Sequence, residues 1–124
     1  MPRLERNEER EERIRNEAIV DAYDAEEQAM GWFYYLADSM SFPFEAKCVR
    51  EIRKSPLKLN ETVTVIDMVS NDDDYSHNML AEILFQGRTM GVPLSQLEPI
   101  NIDDLTRQVI EDWHYWVGRG YLFG

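Results

Sequence analysis

Ala29, Trp32, Phe33, Leu36 and Met40 recur at helical spacing and mark one buried stripe. The helix they define opens at Asp24, an N-cap, with Glu27 three residues on as its reciprocal partner. It ends at Ser41-Phe42-Pro43, because the residue before a proline is pushed out of the α region. Phe44, Ala46 and Cys48 then alternate with Glu45 and Lys47, which predicts a strand with one buried face. Inside the helix, Gly31 costs about 1 kcal/mol relative to alanine. It either marks close approach of another element or is simply tolerated.

On the N-terminal side, residues 2–22 read as a helix, with Glu9–Arg13 and Glu11–Arg15 as i,i+4 pairs. Ile14, Ala18 and Ala22 give it a narrow apolar stripe near its end. Its first part has almost nothing to bury, so residues 1–15 are expected to fray or protrude. On the C-terminal side, residues 50–58 form a basic connector kept irregular by Pro56. Residues 62–69 are apolar on both faces, as in a central strand, with Asp67 either a ligand or a bulge position.

Residues 70–78 are polar and loop-like. Residues 79–86 end at Gly87, a hairpin signal leading into a strand at 89–92 that Pro93 assigns to an edge. Residues 94–99 read as a short connection. Asn101 is expected to cap a last helix with Ile102, Leu105, Val109, Trp113, Trp116 and Val117 as its stripe, ended by Gly118 and Gly120. The aromatic residues 121–123 should dock on the core. The pattern predicts an α+β fold: N- and C-terminal helices packed on a small curled antiparallel sheet of about four strands, an open, SH3-like barrel.

At 124 residues the chain fits one domain, 1–124, with enough apolar content to exclude wholesale disorder. No stretch is long enough to span a membrane, and the charged N-terminus has no secretory signal character. The single cysteine, Cys48, points to a reducing, cytoplasmic setting. A net charge of −11 argues against nucleic acid and anionic membranes as partners. That charge is uneven: residues 1–15 balance five Arg against five Glu, whereas residues 59–124 hold eleven acids against Arg88, Arg107 and Arg119. Such a surface attracts cations or a basic protein partner.

The candidate chemistry is correspondingly acidic. Asp72, Asp73 and Asp74 stand together in a loop, where carboxylates can converge on a hard cation, although no glycine follows them as an EF-hand requires. Asp103-Asp104 and Glu26-Glu27 open helices, where the macrodipole already favours acids. Asp38 lies at the opposite, unfavourable end of its helix. With only Cys48, His77 and His114, no transition-metal spacing appears. Glu111-Asp112 could pose as an acid/base pair, but adjacent helical residues point about 100° apart. No nucleophile, phosphate loop or dinucleotide fingerprint is present, so the chain does not read as an enzyme.

The runs AYDAEEQAMGWFYYLADSMSFPFEAKCV, SPLKLNETVTVIDMV, VPLSQLE and DWHYWVGRGY, in that order, resemble the small cyanobacterial calcium-binding proteins. The resemblance covers residues 19–123. It implies a cytoplasmic, non-EF-hand protein that binds Ca²⁺ through surface carboxylates and buffers or regulates intracellular free calcium. It places Asp38 at an acidic position of the family's helix end and Asp72–Asp74 in an acidic segment. Glu98, Asp103 and Asp104 are the reserve candidates. The rival reading is an acidic adaptor docking on a basic protein, with a carboxylate-pair hydrolase behind both.

Overall fold

The computed structural model describes residues 5–20, 22–52, 55–69 and 79–119. Its frame is a five-stranded antiparallel sheet. The strands are β1 (Phe44–Cys48), β2 (Thr62–Met68), β3 (Leu80–Phe85), β4 (Arg88–Pro93) and β5 (Leu97–Ile100), in the order β4-β3-β2-β1-β5. β1 alternates buried and exposed residues as its sequence predicts. β2 runs centrally between β1 and β3, and its register slips between Val65 and Asp67. The unpaired residue of this bulge is Ile66, and Asp67 beside it pairs with Glu82, its carboxylate accepting the Met68 N–H at 2.8 Å. The β3–β4 hairpin turns at Gln86-Gly87, with φ of 52° and 79°, and pairs Phe85 with Arg88. Two left-handed residues suit a two-residue hairpin turn, and only the glycine adopts that conformation freely.

Three helices complete the order. α1 (Glu8–Arg13) runs on into a wider turn over Ile14–Ala18, α2 spans Ala25–Ser39, and α3 spans Asp104–Gly118. α2 begins as predicted: Asp24 accepts the Glu27 N–H at 2.8 Å, and Glu27 reaches back to the Tyr23 N–H. α2 and α3 lie antiparallel, since Ser41 meets Thr106 at one end and Trp32 meets Trp113 and Trp116 further along. Both helices pack on the sheet, and one apolar cluster joins Trp32, Leu36, Ala46, Val65, Ile83, Val109 and Trp113. The α+β architecture is thus the expected one.

Several details differ. A fifth strand, β5, replaces the connection expected at 94–99; its alternation is only four residues long and holds Pro99, which an edge strand tolerates. The sheet is open, with β4 and β5 as edges, and no pairing among the described residues closes it into an SH3-like barrel. Asn101 does not cap α3. It sits at φ 51°, and Asp103 caps instead, accepting the Thr106 N–H at 3.0 Å. With the start displaced, Thr106 is buried and Leu105 is 51% exposed.

The N-terminal segment does not protrude from Asn7 onward. α1 buries no residue of its own, but its polar side chains grip α3, and Ile14 and Ala18 beyond it enter the core. The expected Glu9–Arg13 pair is not made, because Arg13 turns to Asp112. Residues 1–4, 70–78 and 120–124, which include the Asp72–Asp74 loop and the docking expected of 121–123, lie outside the described residues.

Gly31 marks a close approach. A Cβ there would stand 2.1 Å from the backbone oxygen of Ala18. Backbone cannot yield as a flexible side chain does, so Gly31→Ala should destabilise the protein by about 1–2 kcal/mol, overpacking outweighing the gain in helix propensity. Urea unfolding of the two proteins checks this; a more stable variant would show that the contact can relax.

Candidate metal centre

Sheet topology brings Asp38, Asp103 and Asp104 toward one end. β1 starts where β2 ends, Phe44 pairing with Val65, and β5 ends beside the same point, Ile100 pairing with Glu45. β3 begins there too, Ala81 opposite Met68. The end of α2, which carries Asp38, the described flanks Val69 and Met79 of β2 and β3, and the β5–α3 link with Asp103 therefore share this end.

Asp38 is exposed in the last turn of α2, which contains no basic residue. It makes no hydrogen bond or ion pair with any other described residue. The last carbonyls of a helix lack intrahelical partners, and here the Met40 N–H serves only the Leu36 oxygen, at 3.0 Å. A carboxylate at the carbonyl end of a helix is a source of hard oxygen donors, the chemistry that suits Ca²⁺.

Asp72, Asp73 and Asp74 lie outside the described residues. Their described flanks are fixed: the Val69 N–H donates to Leu80, and Met79 accepts from Leu94, both at 2.9 Å. Asp103 is committed to its helix. The backbone N–H and hydroxyl of Thr106, with Ser41 beside them, hold its carboxyl below the usual carboxylate range. Asp104 is exposed next to it. Glu98 stands apart, back along β5 opposite Lys47, on a cavity of about 310 Å³ that it shares with Arg107 and His114. Among the described residues, no three His, Cys, Asp or Glu side chains converge as a ready metal site.

Asp112, weighed in the sequence only as half of an acid/base pair with Glu111, has a structural role that the pattern did not show. It is fully buried and accepts from Arg10 Nη1 at 2.8 Å, Arg13 Nε at 2.8 Å, Arg13 Nη2 at 2.6 Å and the Tyr35 hydroxyl at 2.7 Å. Glu111 takes the other arm of Arg10 at 3.1 Å. Burial, and then the bond to Asp112, push the Tyr35 hydroxyl far up, so it stays a donor. The hydrogen bonds to Asp112 likewise raise Arg13. Four donors occupy this carboxylate, which makes it a clamp between α1, α2 and α3 and not a vacant ligand. The available signal was its spacing: Val109, Asp112 and Trp116 share one helical face.

The histidine and the cysteine among the described residues are also engaged, and His77 lies outside them. His114 Nε2 meets the Leu97 oxygen at 2.8 Å, and burial lowers its pKa. The Cys48 thiol is buried and donates to the Arg50 oxygen at 3.3 Å. Neither points to transition-metal chemistry. No helix among the described residues is long and apolar enough to cross a membrane.

Residues 12–117 match the CcbP family, described as calcium binding. The chain belongs to this calcium-binding family. The match takes in Asp38, Arg13 and Asp112 and leaves Arg10 just outside. Among solved structures, the crystal structure of Anabaena CcbP is 44% identical with a TM-score of 0.85, covering 99% of this chain and 100% of that one. A calcium binding protein in its calcium-binding form is 43% identical with a TM-score of 0.83 over the same shares. No curated protein matches the chain.

Proposed function

We propose that the protein binds Ca²⁺ through surface carboxylates and so buffers or regulates free calcium in the cytoplasm. The observation that carries this is Asp38: an exposed carboxylate, without a partner among the described residues, at the carbonyl end of α2, where the macrodipole makes it unfavourable without a cation. Membership of a calcium-binding family supports the choice of ion. Asp38 serves one binding event and Asp72, Asp73 and Asp74 serve another, with backbone carbonyls and water completing the 6–8 oxygens that calcium takes. Bound calcium supplies positive charge to a chain at −11. The function requires no reaction step. The free, buried thiol of Cys48 fits a reducing compartment.

A second reading, an acidic adaptor for a basic protein, draws on α3, whose Glu111 and Asp112 already receive two arginines from α1. Calorimetric titration with Ca²⁺ and Mg²⁺ at near-physiological salt separates the two. Calcium should give heat that magnesium does not match. Asp38→Asn should weaken one event, and joint replacement of Asp72, Asp73 and Asp74 by Asn should weaken another. If both variants titrate like the parent, the ligands lie elsewhere; if calcium gives no heat at all, the adaptor reading takes over.

A further inference from the structure

The turn that carries Asp38 is poorly suited to holding its own shape. It is the last turn of α2, it puts an acid at the negative end of the dipole, and it has no basic residue to compensate. A helix end of that kind frays unless something outside the helix holds it. Two polar ties do so, one on each side of Asp38. Three residues before it, on the same helical face, the Tyr35 hydroxyl donates to Asp112 at 2.7 Å. Three residues after it, the Ser41 N–H donates to Thr106 Oγ1 at 2.9 Å, and that hydroxyl donates to Asp103 Oδ1 at 2.7 Å. Both ties end on α3, on side chains that are themselves fully buried. Behind the Tyr35 tie, Arg13 holds both oxygens of Asp112.

Leu36 and Met40 anchor the inner side of the same turn, while Asp38 is left facing solvent. An exposed ligand on a fixed turn keeps its carboxylate and the nearby carbonyl oxygens in one arrangement. An ion then meets them without first ordering the chain, which lowers the entropic cost of binding.

We infer that Tyr35 and Thr106 are positioning residues for calcium at Asp38: they touch no ion themselves, but hold the α2 end in its binding shape through Asp112 and Asp103. This inference rests on the assignment of Asp38 as a ligand. Tyr35→Phe removes one hydroxyl and keeps the ring; Thr106→Val removes the other at nearly constant shape. Each should weaken the Asp38 event about tenfold, the lower end of what outer-shell partners contribute to metal affinity, and leave the other event unchanged.

A double-mutant cycle in calorimetry tests it, with Asp38→Asn as the second arm. In the Asp38→Asn background, Tyr35→Phe and Thr106→Val should have no further effect on calcium binding. General loosening of the fold would instead weaken the remaining event in both backgrounds, and that result would overturn the inference. So would an unchanged titration of both hydroxyl variants beside a lost event in Asp38→Asn. If Asp38→Asn itself titrates like the parent, the ligand assignment fails and the inference falls with it.

Discussion

Arg13→Met should unfold at a urea concentration roughly 1–2 M below the parent, a loss of about 3 kcal/mol at the m-values of small domains. The methionine keeps the apolar stem but removes two hydrogen bonds from Asp112, whose side chain is 0% exposed. Removing one partner of a buried pair costs about 3–5 kcal/mol because the remaining charge stays desolvated. The lower figure applies here, since Arg10 and Tyr35 still reach the carboxylate. Arg13→Met combined with Asp112→Asn should lose less than the two single changes summed, because the second change removes the stranded charge. A loss below about 1 kcal/mol for Arg13→Met would mean that the pair behaves as a surface ion pair.

Trp32→Ala should cost about 3–5 kcal/mol, the other large effect. All three tryptophans of the chain meet at this residue. The Trp32 ring lies 5.0 Å from Trp113, 5.6 Å from Trp116 and 5.7 Å from Tyr35. It is fully buried, so alanine would leave a cavity between two helices and the sheet. Its indole N–H is buried without a hydrogen-bond partner, a group that costs about 1–3 kcal/mol to desolvate. Phenylalanine removes that donor along with part of the ring, so Trp32→Phe should lose far less, on the order of 1 kcal/mol. Urea melts of both variants decide the matter. Equal losses would show that the indole itself, and not the volume it fills, sets the stability here.

What could be read from the chain follows the range of the interactions involved. The Asp24–Glu27 cap, the alternation of β1, the hairpin at Gly87 and the crowding at Gly31 are set within a few residues, or by an amino acid with a special backbone, and each stands where the pattern put it. Asn101 and Asp103 are both good capping residues, and only the backbone of the β5–α3 link decides between them. Arg13 had a partner within its own helix and chose one 99 residues away, because a bidentate bond to a buried carboxylate is stronger than an exposed i,i+4 pair. Asp112 was hidden for the same reason: an acid on an apolar face makes sense only once the arginines arrive.

The candidate site divides in the same way. The place of Asp38 at the unfavourable end of α2 was legible because helix electrostatics is local, and its carboxylate is exposed and has no partner among the described residues. The grouping of its end of the sheet with the flanks of the 70–78 loop and with Asp103 depends on strand order, which no window of sequence contains.

The two flanks of the sheet also differ in how far apart along the chain their strands lie. β3 and β4 are joined by two residues, and β2 precedes them directly, so this flank can form by successive local hairpins. β5 must find β1 across roughly fifty residues of intervening chain. Loop closure makes such non-local pairing slow and dependent on prior collapse. The β5 edge, with the strand-to-helix link that fixes Asp103, is then the late-assembling flank, and it is the one whose backbone amides should exchange with solvent through the lower-energy openings.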